Sequence, residues 1–125
     1  MTSQSLTYFE KSVLAKLLAG DDPVLKALRG QMRSCRVVGR TFTGCGFFTD
    51  LQVEPSVPAA EVPGGTLRIG DVSAKIKGLL HGAGFVLFVE NGYLTFLEGY
   101  SYDEPWPEVI DTFELHYDGT LRDVS

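Results

Sequence analysis

Four side chains in this 125-residue sequence are of types that move protons together: His81, Glu98, Tyr100 and Tyr102. An imidazole beside a carboxylate can exchange a proton near neutral pH, and two phenols can donate to a developing negative charge. Whether they meet depends on one turn. Asn91-Gly92 between two apolar runs predicts a two-residue primed hairpin. That turn sets Glu90 opposite Tyr93, Val89 opposite Leu94 and Phe85 opposite Glu98. Continued, the register sets Ala83 against Tyr100 and His81 against Tyr102, with Gly82, Ala83 and Gly84 leaving room for the rings. Glu98 then lies on the core face, where a carboxylate must be paired, hydrogen-bonded or protonated. The expectation is a small-molecule pocket or a weak enzyme. The plainer reading of the same residues makes HGAG a turn between strands, the tyrosines covers for bare glycine backbone, and Glu98 an edge residue that reaches water.

A second constellation follows in DEPWPE. Asp103, Glu104 and Glu108 surround Trp106, which Pro105 and Pro107 hold on a stiff turn. A rigid aromatic rimmed by acids has the composition of an interaction hot spot. Its plainer reading is a tryptophan folded back to cap the core. The acids lack the dense oxygen-ligand spacing of a calcium loop.

Other chemistry is not signalled. There is no nucleophile elbow, HExxH, P-loop or CxxC. GCG and GAG are not dinucleotide fingerprints, because no helix follows either. Cys35 and Cys45 match neither a disulfide framework nor a zinc spacing, and both are expected as small buried hydrophobes. His116 is expected beside Glu114 on a wet strand face. No cofactor and no metal are expected.

Charge is distributed unevenly. Residues 1–50 carry a net +3 and residues 51–125 a net −8; from Glu90 onward nine acids face one base, Arg122. Such a surface repels phosphate backbones and excludes nucleic acid as an expected partner, while it suits a basic protein. It also serves simply to keep a small chain in solution. No apolar run reaches the roughly 20 residues of a membrane span. Glu10 and Lys16 break the order of a signal peptide, so the cytoplasm is the expected location.

The elements that must position these residues are legible from periodicity. After a frayed start over residues 1–6, Thr7 and Glu10 form a capping box for a helix over 7–19, with Gly20 at its end. Asp22 and Pro23 open a second helix over 23–33. Strands follow over 35–53 and 67–117, separated by a Pro/Gly loop over 54–66. Val72, Ala74 and Ile76 alternate inward, as do Phe113, Leu115 and Tyr117. The fold class is a single α+β domain: two N-terminal helices and a curled, mainly antiparallel sheet of about five or six strands around the Asn-Gly hairpin. That hairpin is apolar on both faces, with Val86, Phe88 and Leu97 on the side away from the core. Cover for them is expected from curl of the sheet, from the proline-rich loop, or from a second copy of the chain.

GCGFFTD, GFVLFVENGYLTFLEGYSYDEPWP and FELHY, covering most of residues 44–117, resemble a set of small bacterial proteins of similar length. These share a glycine–aromatic strand, an LFVE-(N/D)G hairpin and a tail bearing tyrosine and tryptophan. The resemblance implies no activity, because that family has none assigned. Some small acidic bacterial proteins of this kind act as immunity or antitoxin partners. From the −8 charge of residues 51–125, the expectation is a non-enzymatic binding module that contacts a basic protein through Asp103, Glu104, Trp106 and Glu108. The alternatives are the pocket at His81, Glu98, Tyr100 and Tyr102, and a homodimer through the outer face of the hairpin.

Overall fold

The computed structural model describes residues 4–118. Helix α1 (Tyr8–Leu17) starts where the capping box predicts. The Thr7 N–H donates to Glu10 Oε1 at 2.8 Å and the Glu10 N–H to Thr7 Oγ1 at 3.1 Å. Helix α2 (Pro23–Gln31) is capped by Asp22, whose Oδ1 accepts from the Val24 N–H at 2.8 Å. Both helices end two residues early. The Arg29 guanidinium takes up the Leu18 and Gly20 carbonyls past the end of α1, and α2 tightens into a 3₁₀ turn over Met32–Ser34. No helix among the described residues is long and apolar enough to cross a membrane.

Six strands follow: β1 (Arg36–Phe42), β2 (Gly46–Gln52), β3 (Leu67–Ile76), β4 (Ala83–Glu90), β5 (Tyr93–Ser101) and β6 (Phe113–Tyr117). They form one antiparallel sheet in the order β1-β2-β5-β4-β3-β6. The helices cover one face. Val13, Leu14, Leu17, Leu18, Leu25 and Leu28 pack there against Val37, Val72, Phe85, Leu87, Val89, Leu94 and Leu97, all at 3% exposure or less. Each such side chain contributes about 1.5–3 kcal/mol by leaving water. The expected curl toward a barrel does not close the sheet: β1 and β6 remain its two edges. Residues 1–3 of the expected frayed start lie outside the described residues. Gln4 is not frayed, since it exchanges two backbone hydrogen bonds of 2.8 Å with Val37 on the β1 edge.

The Asn91-Gly92 turn is present, with φ of 53° and 77°. Beyond it the register departs from a strict two-residue hairpin. Glu90 pairs with Tyr93 and Val89 with Leu94, but Phe88 pairs with Phe96, so Thr95 is a bulge without a partner. One extra residue turns every later side chain of β5 to the opposite face. Leu97, expected outside, is fully buried, and Phe96, expected in the core, stands outside. Glu98 faces away from the helices between Phe48 and Val86, not in the core opposite Phe85.

Gln31 anchors the bulged hairpin to α2. The β2–β5 ladder ends at Asp50 and Phe96, leaving the Leu94 N–H without a strand partner. The fully buried Gln31 side chain accepts from it at 3.0 Å and donates to the Gly92 carbonyl at 2.8 Å. The proline-rich loop wraps the same tip, with Ala60 N–H on the Gly92 carbonyl at 2.8 Å and the Tyr93 hydroxyl on the Val57 carbonyl at 2.9 Å. This loop therefore covers the end of the hairpin, and the Val86, Phe88 and Phe96 side chains on the face opposite the helices are half-buried.

Candidate functional site

Trp106 belongs to a segment that runs back across the β1–β2 turn after β5 ends. Ser101 donates to the Cys45 carbonyl from both its N–H, at 2.8 Å, and its hydroxyl, at 3.0 Å, and the Trp106 N–H donates to the Gly44 carbonyl at 2.8 Å. These bonds set the indole edge-on against Phe47, with ring centroids 5.2 Å apart. Trp106 thus covers the end of the core, as the plainer reading has it, yet remains half-exposed. Its free side lines a cleft of about 330 Å³ with Phe9, Phe42, Phe47 and Ile110, and Glu108 stands at the rim. Phe42 is 70% exposed and contributes a wall that little else covers.

The floor of this cleft is polar and closed on itself. Glu10, 4% exposed, receives four hydrogen bonds. Oε1 accepts from Thr7 N–H at 2.8 Å and Arg40 Nη2 at 2.6 Å; Oε2 accepts from Arg40 Nε at 3.0 Å and Thr49 Oγ1 at 2.7 Å. Burial alone pushes the Glu10 carboxyl up. The Arg40 guanidinium, the Thr7 N–H and the Thr49 hydroxyl outweigh that and hold it below the usual carboxylate range. Arg40 is held protonated more firmly in return, chiefly by its bond to Glu10. The cleft therefore has aromatic walls over a neutralised ion pair, with the exposed Glu108 among its lining residues.

The other acids of this segment are used differently. Both oxygens of Glu104 accept backbone N–H groups of the β3–β4 turn, from His81 at 2.8 Å and Leu80 at 2.7 Å, and these bonds, His81 first, lower its pKa. Glu104 is thus a clamp between two loops and not a free surface charge. Asp103 is exposed at the turn after β5, in the left-handed region with φ of 63°.

The proposed proton-transfer group is divided by the bulge. Glu98, Tyr100 and Tyr102 lie in line on the face opposite the helices, with the two phenol rings 5.7 Å apart. Tyr100 lies across Gly84, where a Cβ would come within 2.5 Å of its ring, so the tyrosine covers bare glycine backbone. Burial first, then Tyr102, Asp118 and Glu98, raise the Tyr100 hydroxyl pKa. His81 sits apart in the β3–β4 turn and is exposed. With Tyr102 and the exposed His116 it lines an open groove of about 750 Å³ that includes neither Glu98 nor Tyr100. No group of three His, Cys, Asp or Glu among the described residues is placed to hold a metal ion. Cys35 is buried as expected, but Cys45 is exposed in the β1–β2 turn, because that turn points away from the core.

Arg40, Thr49 and Gln31 were not among the residues that sequence reasoning singled out, and Glu10 was read only as a cap. One signal was present: Thr49 interrupts Phe47 and Leu51 at an inward position of an alternating strand, which marks a buried polar contact.

No family model, no curated protein and no solved structure matches the chain. The reading of the site therefore stands on its geometry and charge.

Proposed function

We propose that the protein is a non-enzymatic binding module for a basic protein, and that the cleft beside Trp106 receives a lysine or arginine side chain of that partner. The observation that carries this is the cleft itself: Phe9, Phe42, Phe47 and Trp106 as walls, and the exposed carboxylate of Glu108 at the rim. Aromatic faces attract cations through their quadrupoles, at about 0.5–2 kcal/mol per contact depending on desolvation. Arg40 at the floor does not oppose a cation strongly, because Glu10 already balances it at 2.6 Å. The net charge of −5 favours encounter with basic surfaces. Of the acids expected to contact the partner, Glu108 lines the cleft, which supports this reading; Glu104 is bonded instead to the β3–β4 turn.

Trp106 is the single tryptophan, so its emission reports directly on the cleft. Titration with capped tri-arginine and tri-lysine peptides is expected to give a saturable change in that emission. The affinity should fall about threefold to tenfold with physiological salt or with Glu108→Gln, while tri-glutamate gives no change. A flat titration with both basic peptides, or an equal response to tri-glutamate, refutes the reading.

A further inference from the structure

The face of the sheet opposite the helices carries a strip of four side chains in the order acid, ring, ring, base. Asp50 on β2 is the cross-strand partner of Phe96 on β5; Phe96 is paired with Phe88 on β4, and Phe88 with Arg68 on β3. The two rings stack with centroids 4.1 Å apart, Phe48 adds a third ring 5.8 Å from Phe96, and the Arg68 guanidinium lies 5.3 Å from the Phe88 ring. All three rings are only half-buried. The helices pack on the other face of the sheet.

We propose that two copies of the chain pack through this face as an isologous dimer, about a two-fold axis that runs along the strands between β4 and β5. The order of the strip selects the axis. A rotation about the strand direction exchanges left and right, so β2 of one copy lies over β3 of the other. Asp50 then meets Arg68 of the second copy, Phe96 meets its Phe88, and each contact occurs twice. A two-fold across the strands that passes through this row would set Asp50 against Asp50 and Arg68 against Arg68, which like-charge repulsion disfavours. In the neighbouring row, Phe48, Glu98 and Val86 are cross-strand partners, and Gly70 on β3 lies against Val86. The same rotation sets Glu98 of each copy over Val86 of the other, which costs the dimer the desolvation of two carboxylates, and Phe48 over the exposed, side-chain-free backbone at Gly70, which favours it. Two sheets packed face to face in this way enclose a shared layer about 10 Å thick, with the Phe48, Phe88 and Phe96 rings at its centre. The Trp106 cleft lies on the helix side and stays open in the dimer.

Sedimentation equilibrium on the full chain, from low micromolar to several hundred micromolar, tests this with four proteins. The unaltered chain is expected to reach twice its mass of 13.7 kDa. Asp50→Arg alone and Arg68→Asp alone are each expected to raise the dimer dissociation constant at least about tenfold, because each breaks two symmetry-related contacts. The double exchange D50R/R68D is expected to restore association to within about threefold, which loss of fold could not do. Circular dichroism confirms that each variant keeps its fold, and a variant that unfolds is replaced by Asp50→Asn or Arg68→Gln, for which weaker association is expected. A chain that stays monomeric throughout, single variants that associate like the parent, or a double variant as weak as the singles overturns the proposal.

Discussion

Replacing Glu10 by glutamine keeps the shape of the side chain and removes its charge, so it isolates what the carboxylate contributes to joining α1, β1 and β2. Breaking one side of a fully buried ion pair costs about 3–5 kcal/mol. Arg40 retains 22% side-chain exposure and its bonds to Gln4 and the Ser5 carbonyl, so part of that cost is recovered through water. Glutamine also keeps one acceptor for the Thr7 N–H or for Thr49. About 2 kcal/mol of destabilisation at pH 7 is therefore expected. The pH dependence identifies the cause. Glu10 is held below its ordinary value of 4.5 in the folded chain. A depressed folded pKa contributes stability that is present above the unfolded value and lost as pH falls through the folded one. The gap between parent and Glu10→Gln should thus be full at pH 7 and narrow progressively below about pH 4.5. Urea unfolding followed by circular dichroism, at equal protein concentrations, measures both quantities. A gap at pH 7 below about 0.5 kcal/mol, the size of an ordinary surface substitution, would refute the reasoning. So would a gap that stays constant through the acid range.

Two further outcomes follow from the described geometry. Gln31→Leu leaves the buried Leu94 N–H without an acceptor while Ala60 still serves the Gly92 carbonyl, so a loss of about 2 kcal/mol is expected. It should come with faster hydrogen exchange at Leu94, and an exchange rate unchanged relative to the core argues against the clamp. The two thiols should separate under a disulfide reagent at pH 8. Cys45 is exposed and reacts in the folded chain. Burial, then the Glu10 charge, pushes Cys35 up to about 11, so it reacts only on unfolding; equal rates for both thiols would contradict this.

Periodicity and caps made most of the fold legible, because those signals are local. Thr7 with Glu10 and Asp22 with Pro23 mark the two helix starts, and the inward sets Val72, Ala74, Ile76 and Phe113, Leu115, Tyr117 each name a core face. The expected helices ran past their true ends because the Arg29 bonds that close α1 join residues nine and eleven positions apart. The ion pair of Glu10 and Arg40 was hidden for the same reason, since it spans thirty positions and no spacing rule links them. The open face and the cleft were harder still, because they depend on which strand lies beside which.

The Thr95 bulge decided the fate of the candidate site, and its signal lay in a conflict of energies. A strict Asn-Gly register buries Glu98 beside Phe85 and turns Leu97 to water. Burying that carboxylate without a partner costs several kcal/mol, and exposing the leucine forfeits about 1.5–3 kcal/mol more. A bulge leaves one residue unpaired, and here Gln31 supplies the acceptor that Leu94 lacks. The bulged strand is therefore the cheaper solution, with Leu97 in the core and Glu98 in reach of solvent. The same shift sends Phe96 outward to stack on Phe88. The patch proposed to join two chains thus arises from the step that dismantled the buried-acid pocket. A carboxylate that a regular register would bury beside a phenylalanine is better read as evidence for a bulge than as evidence for a catalytic acid, unless a partner for it can be named.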